Sequence, residues 1–157
     1  MVDSSPGVGT RIRLRIAGVD DAAVLAVLCI EHAAFERAAT PPVDLAVRLA
    51  LLLRSSDWCA WLAEDDSAAV GFCCGEVQTS AWRGARFWHL DCLYLRPTRR
   101  GQRIGLALLD ASLAHARALG LGWAEWQTPA WNAAAIGFYS ALGASAAPKQ
   151  RFALCLR

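Results

Sequence analysis

The sequence predicts a mixed α/β fold in which helices lie on the faces of a sheet, and three observations support this prediction. Residues 11–16 alternate arginine with isoleucine or leucine, the period-two pattern of a half-buried strand. Residues 87–95 have the composition of a longer strand, and an arginine-rich and glycine-rich turn joins them to an apolar helix. The chain has 157 residues, 55% of them hydrophobic, which is enough for one sizeable core. We therefore expect a single domain over residues 1–157, with residues 1–9 flexible.

Turn-forming and helix-capping residues divide the chain into ten elements. Asp20 or Asp21 starts the first helix, and the pair Pro41 and Pro42 precedes the second. The predicted strands are 11–16, 58–63, 69–77, 87–95, 123–128 and 151–156. The predicted helices are 19–37, 43–54, 101–119 and 132–142. The resulting order is β-α-α-β-β-β-α-β-α-β.

Proline and glycine set the ends of the later elements. Pro97 prevents the long strand from continuing, and Pro129 ends the strand before the last helix. Gly120 and Gly143 follow the third and fourth helices, where a left-handed residue commonly ends a helix. These positions predict helix ends close to residues 119 and 142.

Composition and charge exclude several classes of function. The formal net charge of +2 is too small to indicate nucleic-acid binding, so we expect no nucleic-acid partner. No apolar run reaches the length of a membrane span, and residues 1–10 lack the apolar core of a signal peptide. We therefore expect a cytoplasmic protein without a membrane partner. The six cysteines show neither C-x-x-C spacing nor neighbouring histidine ligands, which predicts free thiols and no metal.

The segment 99–109 has the composition of a phosphate-binding turn. The first turn of the helix that follows it would offer backbone N–H groups and the positive end of the helix dipole. Gly101 and Gly105 would let a phosphate approach the backbone closely. The turn is basic through four arginines within eight positions, Arg96, Arg99, Arg100 and Arg103. The alternative is a basic, capped surface helix that binds nothing.

The turn lacks the lysine and hydroxyl of a P-loop and the GxGxxG spacing of a dinucleotide fold. It resembles instead the RGxGxG/A element with which the GNAT acyltransferase superfamily holds the pyrophosphate of acetyl-CoA, except that Arg103 stands where the family often has its middle glycine. Residues 131–144 resemble a second element of the same family, WNxxAxxFYxxxGa. The order of elements also resembles the GNAT fold, which implies a twisted, mostly antiparallel sheet.

The resemblance implies acetyl-CoA as the cofactor. Asn132 would contact the cofactor arm, and Tyr139 would donate a proton to the departing thiolate. The strand before the turn would bind the pantetheine arm through free backbone groups. The implied cofactor-binding residues are Leu93, Tyr94, Leu95, Arg100, Gly101, Gln102, Arg103, Ile104, Gly105, Leu106, Asn132, Ala135 and Tyr139. Without the resemblance, Asn132 is equally well explained as a helix cap and Tyr139 as a core aromatic residue.

An amine must lose a proton before it attacks, so the site needs a base. Asp91 matches the first carboxylate of an acidic pair in the diamine-acetylating branch of the family, and Cys92 replaces the second. Asp91 as the base and Asp91 as the anchor of a turn or an ion pair are equal alternatives. His89 shares a strand face with Asp91 and is a second candidate, whereas Cys92 and His89 should face opposite sides. We expect His115 to be structural. His32 could border an acceptor pocket, since the first two helices flank that pocket in the family, but core packing explains it better.

Together these features predict an acetyl-CoA-dependent N-acetyltransferase that acetylates a primary amine of a small molecule by direct attack in a ternary complex. The diamine or amino-acid acetylating branch fits best, although the loss of the second acid weakens the case for a polyamine. The alternatives are a non-catalytic acyl-CoA binding or sensing module and acetylation of a peptide or protein amine. Dimerisation is common in the family, and the apolar segment 43–53 suits a packed or dimer-facing helix, so we expect a homodimer.

Overall fold

The computed structural model describes residues 11–66 and 68–156, so the predicted flexibility of residues 1–9 falls outside the described residues. The chain divides into two compact units, one ending at Trp126 and the other beginning at Gln127. The expectation of a single domain stays a prediction. Within the described residues, no helix is both long and apolar enough to cross a membrane.

The first unit contains a five-stranded sheet in the order β1-β2-β3-β4-β5. Its strands are β1 (Arg13–Ile16), β2 (Trp58–Glu64), β3 (Ala69–Ser80), β4 (Ala85–Leu95) and β5 (Ala124–Glu125). Its α-helices are α1 (Ala22–Phe35), α2 (Leu45–Leu52) and α3 (Ile104–Ala118), and the second unit contains α4 (Ala133–Ala141). The first four strands pair antiparallel and β5 pairs parallel to β4, which confirms the predicted mixed α/β class with a mostly antiparallel sheet.

Two of the predicted elements differ from the structure. The predicted strand 123–128 is reduced to the two residues of β5, and the predicted final strand 151–156 does not form. The latter segment does alternate apolar residues, yet Phe152 and Leu154 stay 91% and 84% exposed. A period-two pattern produces a strand only where another strand satisfies its backbone N–H and C=O groups. No strand of the described residues pairs with this segment.

Helices cover both faces of the sheet in the first unit. On one face, α1 and α2 cover a cluster that includes the fully buried Leu25, Leu28 and Phe72. On the other face, α3 packs against β2, β3 and β4. Residues 60–63 of β2 are consequently all buried, as expected for a strand covered on both sides. Each fully buried leucine or phenylalanine contributes about 1.5–3 kcal/mol to the free energy of unfolding.

Aromatic residues fill the face of the sheet under α3. The Trp88 indole N–H donates a 2.8 Å hydrogen bond to the Ser112 hydroxyl of α3, and both residues are fully buried. His115 packs edge-on against Trp61 and Trp88, with ring centroids 5.4 Å apart in each pair. His115 is therefore a structural residue, as the sequence predicts.

A β-bulge interrupts the pairing of β3 with β4. Cys74 pairs with Cys92, but the next residue, Gly75, pairs with Leu90, so Asp91 is an extra residue on β4. The two strands approach closely at this point, because a Cβ on Gly75 would lie 2.6 Å from the His89 carbonyl oxygen. Glycine at position 75 is therefore required by the backbone of the bulge.

Candidate active site

The bulge determines how Asp91 is presented. In a regular strand Asp91 and Cys92 would point to opposite faces, whereas here the Asp91 carboxylate lies 3.8 Å from the Cys92 sulfur. The Asp91 side chain is exposed, and it forms no ion pair with any arginine of the described residues. An exposed carboxylate at the end of a bulged strand is available to an incoming ligand.

The end of β4 has an open backbone edge. Its pairing with β5 consists of Trp88 with Ala124 and His89 with Glu125, and it stops there. Residues 93–95 pair with β3 on their other side. Among the described residues, no strand takes the place of β5 beside this segment. Leu93, Tyr94 and Leu95, which the resemblance assigns to the cofactor arm, therefore lie where β4 has only one neighbour.

The N-terminus of α3 is uncapped. The helix begins at Ile104, three residues later than predicted, because Gly101 and Arg103 adopt left-handed backbone conformations with φ of 76° and 61°. No side chain caps the helix, and Ala107 makes the first intrahelical bond, to the Arg103 carbonyl at 3.0 Å. The backbone N–H groups before Ala107 have no intrahelical partner. A Cβ on Gly101 or Gly105 would meet nothing within 4 Å, so the space beside these groups is open.

Most of the basic patch predicted around this turn is used to hold the fold. Arg96 forms an ion pair with Glu31 at 2.8 Å, and Arg99 forms one with Asp65. Arg100 donates a 3.0 Å hydrogen bond to the Leu95 carbonyl, and its guanidinium lies over the Phe35 ring. Arg103 differs, because its side chain has no hydrogen-bond or ion-pair partner within the described residues. The residue that departs from the family pattern therefore supplies the available cation beside the uncapped helix end.

These features fit a pyrophosphate. Unpartnered N–H groups, the positive end of a helix dipole, open space over two glycines and one available guanidinium are what a polyphosphate anion requires. Gln102, Ile104 and Leu106 belong to the same turn and first helical turn. The structure thus brings together seven of the predicted cofactor residues in residues 100–106.

His32 of α1 packs against the sheet, which agrees with the core position that the sequence favours. Its ring stacks on Tyr94 of β4 with a centroid separation of 5.3 Å, and its Nε2 lies 3.3 Å from a Glu36 carboxylate oxygen. Burial lowers the pKa of His32, but the contacts with Cys92 and Glu36 outweigh it and raise the pKa. The sequence offered as a signal only the position of His32 on the buried side of α1.

Cys92 has a histidine neighbour, although not the one closest in sequence. His89 pairs with Glu76 and Glu125 on the neighbouring strands, and Cys92 contacts His32. Hydrogen bonding with Cys74, followed by that with His32, lowers the pKa of the Cys92 thiol to about 7. Cys74, which is fully buried, has its pKa raised. The thiol with a lowered pKa therefore lies beside the bulge.

The second unit contains the other motif. Asn132 caps α4, because its side-chain oxygen accepts a 3.2 Å hydrogen bond from the Ala135 N–H. Its side-chain nitrogen donates to the Thr128 hydroxyl at 3.4 Å. Tyr139 lies two helical turns later, with its ring 5.1 Å from that of Phe138. The cap explains why an asparagine stands at position 132 and leaves the direct cofactor contact of Asn132 a prediction.

Comparisons with known proteins identify relatives of the chain. Residues 26–144 match the model of the "Acetyltransferase (GNAT) family", a range that includes both motifs. A mycothiol acetyltransferase of Sanguibacter keddieii is 34% identical over 141 residues, 86% of this chain and 43% of that protein. This chain therefore spans less than half the length of that relative.

Solved structures share the fold at low sequence identity. An aminoglycoside N-acetyltransferase in complex with CoA superposes with a TM-score of 0.80 and 16% identity, over 95% of this chain and 97% of that one. A transcriptional regulator from Bacillus halodurans gives a TM-score of 0.78 and 17% identity, over 92% of this chain and the full length of the other. At these identities the likeness concerns the fold alone.

Proposed function

Because this chain belongs to the acetyltransferase (GNAT) family, we propose that it transfers an acetyl group from acetyl-CoA to a primary amine of a small molecule, by direct attack in a ternary complex. Membership of the family confirms the resemblance and the acyltransferase class that the sequence predicts. The observation that supports the proposal best is the uncapped start of α3 with its available Arg103. The relatives that act on aminoglycosides and mycothiol support a small amine as the acceptor.

In the first unit, the donor is assigned to residues 93–95 and 100–106. The N–H groups before Ala107 and the Arg103 guanidinium would hold the pyrophosphate. The open edge of β4 would pair with the amide groups of the pantetheine arm. When bound, acetyl-CoA supplies an acyl group activated as a thioester. Asn132 and Ala135 complete the assignment in the second unit.

Asp91 and Tyr139 are the proposed proton carriers. An ammonium has no lone pair, so Asp91 would accept its proton directly or through a water. The exposed position of Asp91 on the bulge supports access by the acceptor. Tyr139 would donate its phenolic proton to the thiolate that leaves, which stabilises the developing negative charge.

Thiol release from acetyl-CoA over a panel of amines tests the function. The panel contains polyamines, amino acids, aminoglycosides and peptides with a free N-terminus, with hydrolysis in the absence of amine as the blank. We expect release with at least one small amine. Binding of acetyl-CoA without release over the whole panel would favour the acyl-CoA sensing module, and release with peptides alone would favour a protein acceptor.

Tyr139→Phe separates the acid from a binding residue. If Tyr139 is the acid, the variant should lose about 10²–10⁴-fold in kcat, the usual contribution of a general acid, and change the Kd for acetyl-CoA little. Phe138→Leu is a matched control, because it alters the neighbouring ring without removing a proton donor. An unchanged kcat in Tyr139→Phe would contradict the assignment.

We also propose that the protein is a homodimer. Apolar side chains on α1 and α2 stay exposed, with Val27 at 51%, Val47 at 66% and Leu51 at 66%. A second copy packed on these helices would remove these side chains from water. A cytoplasmic location stays a prediction of the sequence.

A further inference from the structure

We propose that Cys74, Cys92 and Asp91 form a binding site for a zinc ion, with the fourth tetrahedral position left to a water molecule. The two sulfur atoms and a carboxylate oxygen lie within 4.8 Å of one another. This inference departs from the sequence expectation of no metal. The ligands come from the neighbouring strands β3 and β4, so no short spacing in the sequence could indicate the site.

The backbone brings the first three ligands together. Cys74 and Cys92 are directly opposite each other on antiparallel strands, so their side chains lie on the same face. The bulge adds Asp91 to this face, and its carboxylate lies 3.8 Å from the Cys92 sulfur. Because Gly75 fixes the close approach of the strands at the bulge, the arrangement is built into the sheet.

The ligand chemistry selects zinc. Zinc binds thiolate, imidazole and carboxylate with tetrahedral geometry, at about 2.3 Å to sulfur and about 2.0–2.2 Å to nitrogen or oxygen, so its ligand atoms lie roughly 3.3–3.8 Å apart. The separation between Asp91 and Cys92 already meets this, and small side-chain rotations would bring in the other atoms. Two thiolates favour zinc over magnesium and calcium, which prefer oxygen ligands.

Zinc at this position would inhibit the proposed reaction. A carboxylate that ligates the ion cannot accept a proton from the amine, so occupation of the site would remove Asp91 as the base. This consequence rests on the proposed function, whereas the binding of the ion does not. We therefore expect inhibition by micromolar zinc that a chelator reverses.

Cobalt titration of the reduced, metal-free protein tests the site, since cobalt(II) reports thiolate ligation by its charge-transfer absorption. We expect one cobalt ion per chain, displaced by one equivalent of zinc. Cys92→Ala should lower the thiolate absorption per cobalt ion, because only the Cys74 thiolate remains, and Asp91→Asn should weaken zinc binding at least about tenfold. The control is Cys73→Ala, which removes the fully buried cysteine adjacent to Cys74 on the opposite face of β3.

The outcomes separate the site from the proposed function. Thiolate absorption that is absent from the wild type, or that has the same intensity per cobalt ion in a folded Cys92→Ala, would overturn the zinc site. Circular dichroism shows whether each variant is folded. If Cys92→Ala does not fold, Asp91→Asn provides the test, because Asp91 is exposed. Cobalt binding by a protein that acetylates no amine would support the site and oppose the proposed function. Zinc binding without loss of acetylation would overturn the inhibition.

Discussion

At the scale of single residues, Arg103 is the informative departure from its family. The position before Ile104 has φ of 61°, a conformation that suits glycine and costs another residue about 1–2 kcal/mol. The chain accepts this strain at the one arginine of the turn whose side chain has no partner in the described residues. Backbone strain of this kind is concentrated at functional sites, which agrees with the proposed role of Arg103 in binding the pyrophosphate.

Two substitutions of Arg103 separate the effect of its backbone strain on stability from the effect of its charge on CoA binding. Arg103→Gly should raise the free energy of unfolding by up to about 1 kcal/mol, because the left-handed conformation no longer costs energy. Arg103→Ala keeps the strain and should leave the stability within about 0.5 kcal/mol. Both variants lose the guanidinium, so both should bind CoA about tenfold more weakly, the factor expected for one charged hydrogen bond. Urea unfolding and calorimetric titration measure the two effects. Unchanged CoA affinity in both would remove Arg103 from the phosphate site.

At the scale of elements, an ion pair joins α1 to the residue after β4. Arg96 holds both oxygens of Glu31, at 2.8 and 2.9 Å, and bonds the Ala69 carbonyl at 3.0 Å. The hydrogen bonds from Arg96 lower the pKa of Glu31. The pair thereby fixes the helix that carries His32 to the strand that carries the bulge.

The contribution of this pair should depend on pH. The folded pKa of Glu31 is below its unfolded value of about 4.3, so the stabilisation is fully present above about pH 5 and is lost as the pH falls through the folded pKa. Glu31→Gln should therefore cost about 1 kcal/mol at pH 7 and almost nothing at pH 2, as measured by urea unfolding. Asp57→Asn, at the exposed pair with Arg86, is the control and should change the free energy of unfolding by less than about 0.5 kcal/mol at either pH. A pH-independent loss in Glu31→Gln would contradict this origin.

Element positions followed from the sequence where local pattern determines them. The alternation in residues 11–16 predicted β1, and Gly120 and Gly143 marked the helix ends through their positive φ of 74° and 82°. The bulge could not be predicted, because a two-to-one pairing depends on the partner strand. The stacking of the His32 ring on Tyr94 joins distant parts of the sequence, and only the packing of α1 on the sheet creates it.

At the scale of the whole molecule, family membership and fold agree, and the proposed homodimer can be tested at the exposed apolar side chains of α1 and α2. Val47→Asp should convert the dimer to a monomer, because a charge would be buried in an apolar interface. Sedimentation velocity measures the change. Ala114→Asp makes the same charge change at an exposed site of α3, on the other face of the sheet, and should stay dimeric. A monomeric wild type, or a dimeric Val47→Asp, would contradict the interface.

The early end of β5 has a consequence for how this chain tolerates sequence change. After His89, β4 presents backbone N–H and C=O groups on the side where β5 has ended. These groups are the same whichever side chains are present at positions 93 and 95. Substitutions there can accumulate without altering the bonds to a cofactor arm, provided that β4 keeps its alignment with β3. One residue inserted after the bulge would instead exchange inward-facing and outward-facing groups along the whole segment. Under the proposed function, binding of the pantetheine arm therefore depends on the register of β4 with β3, and single substitutions at Leu93 or Leu95 leave it intact.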